Sequence, residues 1–136
     1  MSIVIIGLGN PGGEYEHTRH NAGRDAVVLL AKKEGFDDFV LNKKANALVA
    51  EGKIGKEKVM LALPETFMNN SGKAASALVK SVKAAQKLLV IQDDLDLPLG
   101  TLKMVFHRGS GGHKGIESIN RALKTEAYVR IRIGIS

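Results

Sequence analysis

The 136-residue sequence predicts an α/β fold: a single domain, three-layer αβα, around a twisted mixed β-sheet. Three observations lead there. Short apolar runs at residues 3–6 and 88–91 have the length and branching of buried strands. Segments with apolar residues at helical spacing fall between such runs, and that alternation is the pattern of α/β proteins. The length suits one domain with its own core, and 44% hydrophobic with 25% charged residues argues against disorder.

In chain order, residues 3–6 form the first strand, closed by Gly7. Residues 8–20 read as a loop rich in Gly and polar groups, where Pro11 prevents regular structure. A helix follows over 21–33, capped by Asn21, with Val27, Leu30 and Ala31 on one face and Gly35 ending it. Residues 45–54 and 58–63 predict a hairpin about Gly55-Lys56, and Pro64 stops its second strand. Asn69, Asn70 or Ser71 caps a second helix reaching about residue 85, with Ala74, Ala77, Leu78 and Val82 as its inward stripe. After the buried strand at 88–91, residues 101–106 alternate as a strand with one wet face. A glycine-rich loop at 109–115 precedes a short helix over 116–123. The last strand, 128–135, sets Val129, Ile131, Ile133 and Ile135 on one side and Arg130 and Arg132 on the other.

Composition narrows the chemistry. The absence of Cys excludes a disulfide scaffold, a thiol nucleophile and Cys-ligated zinc. No stretch approaches the roughly 20 apolar residues of a membrane span, and the N-terminus lacks the basic flank of a signal peptide. A soluble, cytoplasmic protein is expected. The net charge of +6 is uneven, because residues 101–136 hold seven Lys/Arg against two Asp/Glu. Such a basic end suits a phosphate-facing surface, although an ordinary solvated face has the same composition. One Phe and one Tyr in that segment offer little for base stacking.

Gly7-Leu8-Gly9-Asn10-Pro11-Gly12 fits G-x-G-x-x-G directly after a strand. A dinucleotide site needs the helix to open inside the motif, so that its N-terminus meets the pyrophosphate. Here the helix begins only near Asn21, and no acid is placed for the ribose, so that reading is rejected.

The loops at strand ends, 7–21, 64–70, 92–99 and 107–115, hold nearly all the unusual residues, and ligand crevices of open α/β sheets form at such ends. They supply Asn10, His20, Asn69 and Asp93, with Lys114 nearby. Imidazole transfers protons near neutral pH, and a carboxylate is its usual orienter. Asn10 and Asn69 hold carbonyls without adding charge. Each also has a plainer role: His20 at a helix terminus, Asp93 and Asp94 in a turn, Asn69 as a cap, Met68 in the core. With no Cys, and Ser71 outside any G-x-S-x-G elbow, water is the expected nucleophile. His17, His20, His107 and His113 lack H-x-x-x-H or H-E-x-x-H spacing, so no metal site is expected.

Five ordered blocks resemble the bacterial peptidyl-tRNA hydrolase family over essentially the whole chain. The first runs from Gly7 through Gly12 with Tyr15 and then from Thr18 through Gly23. The others are Pro64 to Gly72, Asp93 to Gly100, Gly109 to Gly115, and Arg130 to Ile135. The resemblance implies hydrolysis of the ester joining a peptide, or an N-blocked amino acid, to tRNA, with neither metal nor cofactor. It implies His20 as the general base that activates water and Asp93 as its orienter. It gives Asn10, Tyr15, Met68, Asn69 and Lys114 to the peptide and tRNA end, and makes Lys103, Arg130 and Arg132 candidates for phosphate contact. The implied partner is peptidyl-tRNA, met by a monomer away from any membrane. A non-catalytic tRNA-binding relative of the same fold is the alternative.

Two departures accompany the resemblance. Lys114 stands where the family usually has Asn, and it cannot accept a hydrogen bond. Family members also continue past the Arg130–Gly134 strand with a further strand and helix, so residues 1–136 are expected to be a fragment or a shortened member.

Overall fold

Residues 2–12, Thr18 and residues 21–136 are described by a computed structural model. The elements are β1 (Ile3–Gly7), α1 (Ala22–Lys33), β2 (Val40–Asn42), β3 (Ala47–Ile54), β4 (Glu57–Pro64), α2 (Ser71–Leu78), β5 (Leu88–Asp94), β6 (Leu102–Phe106), α3 (Lys114–Leu123) and β7 (Val129–Gly134). All seven strands share one sheet, in the order β2-β3-β4-β1-β5-β7-β6. The central four, β4-β1-β5-β7, are parallel, while β2, β3 and β6 attach antiparallel at the flanks.

The apolar runs become central strands because helices cover both faces of the sheet. In β1, Val4 and Ile6 join Ala75, Val79, Ile116 and Ile119 in the core beneath α2 and α3. Ile5 points the other way, to Val27 and Ala31 of α1 with Leu61, Leu63 and Ile91. Full burial of each such aliphatic side chain is worth about 1.5–3 kcal/mol, so both layers are strongly held. The αβα sandwich and mixed sheet expected from the sequence are therefore the architecture observed.

After β1 the chain passes through α1 to β2 at one edge and works back through β3 to β4 beside β1, and after β4 it passes to β5 on the other side of β1. The carboxyl ends of β1 and β5 flank the resulting topological switch point, where a crevice opens. Two glycines let helices close on this region. A Cβ on Gly23 would stand 2.2 Å from the Ile91 carbonyl oxygen, so α1 seats directly against the end of β5. A Cβ on Gly72 would stand 2.3 Å from the Ser118 carbonyl oxygen, and the Gly72 N–H donates to Ser118 Oγ at 2.8 Å. That contact locks α2 to α3.

Several boundaries differ from the sequence reading. The second helix ends at Leu78, because Val79 turns extended (φ −117, ψ 106) and enters the core. A 3-10 turn over Ala84–Lys87 completes the descent to β5. Val82 consequently leaves the inward stripe and is 56% exposed. The third helix begins at Lys114, two residues early, because His113 caps it. Strand β2 has only three residues, too few for a period to register. On β6 the exposed side is the apolar one, Leu102, Met104 and Phe106, while Val105 faces inward.

Gly72→Ala should destabilise the fold by about 2 kcal/mol, since a methyl cannot fit against the α3 backbone. Urea unfolding checks this, and an unchanged midpoint would contradict the close helix contact.

Candidate active site

Four segments at the switch point enclose an open pocket of about 420 Å³. The loop after β1 supplies Asn10, that after β4 supplies Phe67, Met68 and Asn69, and β5 with its following turn supplies Asp93 and Leu95. The glycine-rich loop adds Gly112, His113 and Lys114. Phe67 and Leu95 are exposed, so the pocket has apolar walls around a few convergent polar groups, the usual make-up of a small-ligand site.

Asn10 is fixed from two directions. Its backbone N–H donates to Asn21 Oδ1, and the Asn21 amide donates back to the Asn10 carbonyl, each at 2.8 Å. Asn21, expected as a helix cap, makes no side-chain capping bond; it clamps the β1 loop instead. The Met68 backbone N–H donates to Asn10 Oδ1 at 2.8 Å, which sets the orientation of the Asn10 amide. The loop carrying Met68 is itself moored to α1, because Arg24 donates to the Pro64 carbonyl at 2.7 Å and pairs with Glu65 at 2.8 Å.

Asp93 is buried, at 5% exposure, and His113 Nε2 lies 2.7 Å from its Oδ1. His113 is the N-cap of α3: its Nδ1 accepts from the N–H groups of Gly115 and Ile116 at 3.1 and 3.2 Å. An Nδ1 that accepts two backbone donors carries no proton. The ring proton is therefore on Nε2, donated to Asp93. The capping bonds thus choose the tautomer, and the tautomer holds the carboxylate. Sequence reasoning weighed His113 only as a metal ligand and missed this role. The available signal was its position at the end of a glycine run, just before the Ile116 and Ile119 periodicity. Usual cap preferences point to Ser, Thr, Asp and Asn and pass over His.

The pocket brings together Asn10, Met68, Asn69, Asp93 and Lys114 as expected. Lys114 is 76% exposed at the rim, with Nζ 3.8 Å from Glu117 Oε1, a surface pair that is easily given up. Tyr15 and His20 lie outside the described residues. Lys103 is exposed on β6 and does not line the pocket.

The two arginines expected to touch phosphate do not face solvent. Arg130 is 3% exposed; it donates to Gln92 Oε1 at 2.9 Å and to the carbonyls of Arg108 and Gly109 at 3.2 and 2.8 Å. Burial pushes its guanidinium below the ordinary arginine pKa. Arg132 is turned against Asp94 in a part-buried ion pair. The face that carries them, expected to be wet, is covered by the start of the glycine-rich loop and by polar residues of β5. Their work is to anchor the loop that ends in His113 and the strand that ends in Asp93 and Asp94.

Residues 4–136 match the family profile described as peptidyl-tRNA hydrolase. A peptidyl-tRNA hydrolase of Brevibacillus brevis is 48% identical over 134 residues, covering 98% of this chain and 70% of that protein. One of Alkaliphilus oremlandii is 44% identical over 133 residues, covering 97% of this chain and 71% of its own length. The crystal structure of peptidyl-tRNA hydrolase from Acinetobacter baumannii superposes with a TM-score of 0.92 at 37% identity, over 99% of this chain and 68% of that one.

Asp94 gives a pH-dependent signature. Burial alone would raise its carboxyl, but the hydrogen bonds from Arg132 and the Asp96 N–H, with the pull of Arg132 and His113, hold it below the ordinary 3.8. A carboxyl depressed in the folded state stabilises fully above its unfolded value and loses that contribution as pH falls through the folded one. At pH 7 Asp94→Asn should therefore lose about 1 kcal/mol. In urea titrations the gap to the wild type should close as the pH drops below 3.8; a constant gap would contradict the pairing.

Proposed function

Because the chain belongs to the peptidyl-tRNA hydrolase family, we propose that it cleaves the ester between a peptide, or an N-blocked amino acid, and tRNA, using water activated by His20. The observation that carries the reading is the convergence of Asn10, Asn69 and the Asp93–His113 pair on one apolar-walled pocket at the switch point. Such a pocket offers amide donors for a carbonyl, a buried carboxylate for a histidine, and apolar surface for peptide side chains.

In this reading His20 takes a proton from water as the water oxygen attacks the ester carbonyl carbon. The carbonyl electrons move to oxygen, and the Asn69 amide donates to the developing oxyanion. Asp93 orients His20 and stabilises the imidazolium. On collapse the ribose oxygen leaves and recovers the proton from His20, giving free tRNA and the peptide's carboxylic acid, which then loses its proton to solvent. Asn10, its Oδ1 already engaged by Met68, presents its amide N–H groups to the substrate. Met68 lines the pocket and serves the peptide and tRNA end, a role given also to Tyr15, which lies outside the described residues. Lys114 offers its ammonium to a substrate phosphate or to the oxyanion. Lys103 keeps its place as a candidate phosphate contact from the exposed edge strand. The enzyme acts as a monomer in the cytoplasm, where translation supplies the substrate. Among the described residues no helix is long and apolar enough to cross a membrane.

Cleavage of N-blocked aminoacyl-tRNA tests the reading. His20→Ala should lose about 10²- to 10⁴-fold in rate. Absence of wild-type cleavage would overturn the proposal, and tRNA binding without cleavage would identify a non-catalytic member of the same fold. A second pair of variants separates the two tasks of His113. His113→Asn retains a good cap but not the reach to Asp93, whereas His113→Ala loses both. Both should fall about 10- to 100-fold in kcat, while only His113→Ala should also lose about 1 kcal/mol in urea. Equal activity of His113→Asn and the wild type would remove His113 from the mechanism.

A further inference from the structure

The two amides given to the substrate stand on different loops, Asn10 after β1 and Asn69 after β4. Those strands are parallel neighbours whose register runs as far as Ile6 with Ala62. Beyond that point the ladder between them ends, and the spacing of the two loops rests on other bonds.

Those bonds close into a ring. Arg24, in the first turn of α1, donates to the Pro64 carbonyl at 2.7 Å and to the Glu65 carboxylate at 2.8 Å. Three residues after Glu65, the Met68 N–H donates to Asn10 Oδ1 at 2.8 Å. The Asn10 backbone exchanges two bonds with the Asn21 side chain, and Asn21 is the residue that opens α1. The path therefore leaves α1 at Arg24 and returns to it at Asn21. The proposed base, His20, immediately precedes Asn21 in the sequence.

Arg24 differs from an ordinary surface cation in three ways. The first turn of a helix is the end where the dipole disfavours positive charge, so the helix itself gives no reason for an arginine there. The guanidinium divides its planar fork between a main-chain carbonyl and a carboxylate, which the point charge of a lysine does not reproduce. Both partners are fixed points, because the Glu65 backbone N–H is itself held on the Asn46 carbonyl at 2.8 Å. The β1 loop also packs tightly on this corner. A Cβ on Gly9 would stand 2.8 Å from both Arg24 Cβ and Asn21 Oδ1, and the Arg24 N–H donates to the Leu8 carbonyl at 2.9 Å.

We propose that Arg24 is a positioning residue for the reaction. By holding the stem of the β4 loop on α1, it sets the Met68 N–H against Asn10 Oδ1 and so fixes the spacing of the Asn10 and Asn69 amides. The proposal rests on the hydrolase reading and adds a residue that does not line the pocket. Misplacing a reacting group by about 1 Å costs up to about 10²-fold in rate, so release of the stem should cost about 10-fold.

The test combines kinetics with amide hydrogen exchange. Arg24→Met should lower kcat for N-blocked aminoacyl-tRNA about 10-fold, and Arg24→Lys, which keeps the charge without the fork, should lie between it and the wild type. In an Asn10→Ala background, where the Met68 N–H has lost its acceptor, Arg24→Met should cost less than about twofold more. A merely structural tie would cost the same in both backgrounds. The Met68 amide should exchange several-fold faster in Arg24→Met while the amides of β1 keep their wild-type rates. Glu65→Gln, a milder change, should move kcat and Met68 exchange in the same direction. Wild-type kcat in Arg24→Met, an equal loss in both backgrounds, or unchanged Met68 exchange would each overturn the proposal and leave the hydrolase reading intact. A wild type that does not cleave would overturn that reading and with it the role of Arg24 in the reaction.

Discussion

The hydrogen bond between His113 and Asp93 is the constraint on which the site depends. A carboxylate at 5% exposure needs donors, and one of them is an imidazole whose other nitrogen is engaged by the first turn of α3. Helix, ring and strand end are thereby one unit. Rotating the ring would uncap the helix, and fraying the helix would free the ring to change tautomer. The carboxylate position is thus set by the most regular backbone in its neighbourhood, not by a loop alone. The glycine-rich loop that delivers His113 is in turn pinned at its start by Arg130, through the carbonyls of Arg108 and Gly109.

Buried charge is handled here by neutral partners as much as by ion pairs. Among the described residues Arg130 is met by an amide oxygen and two carbonyls and by no carboxylate, whereas Arg132 has Asp94. Both stand on β7 next to β5, in register with Val90 and Gln92. The polar side of that strand pair is an internal scaffold beneath the crevice, which is why removing charge from it affects shape before it affects ligand attraction.

Much of this was legible in the sequence. Strands β1 and β5 announce themselves because burial on both faces demands unbroken apolar runs, and the hairpin β3–β4 because Gly55-Lys56 interrupts two extended stretches. The pocket residues Asn10, Asn69 and Asp93 were legible because they lie at or just beyond the carboxyl ends of strands, although Asp93 belongs to β5 itself, which runs three residues past its apolar stretch. What escaped depends on long-range geometry. Alternation gives the two faces of β7 but not which face is covered, so Arg130 and Arg132 read as wet. Val82 continues a helical period in sequence, and only the return path to β5 ends the helix first. Asn21 has the chemistry of a cap, and its actual partner is Asn10, eleven residues earlier and across the loop.

The bond from the Met68 backbone N–H to Asn10 has a consequence for evolution of the pocket. Orientation of the Asn10 amide is controlled by a main-chain group, which every amino acid except proline provides. The side chain at position 68, which lines the pocket wall, is therefore uncoupled from the amide proposed to hold the substrate. The apolar lining of the pocket is free to drift at that wall by substitution, with the polar groups behind it left in register.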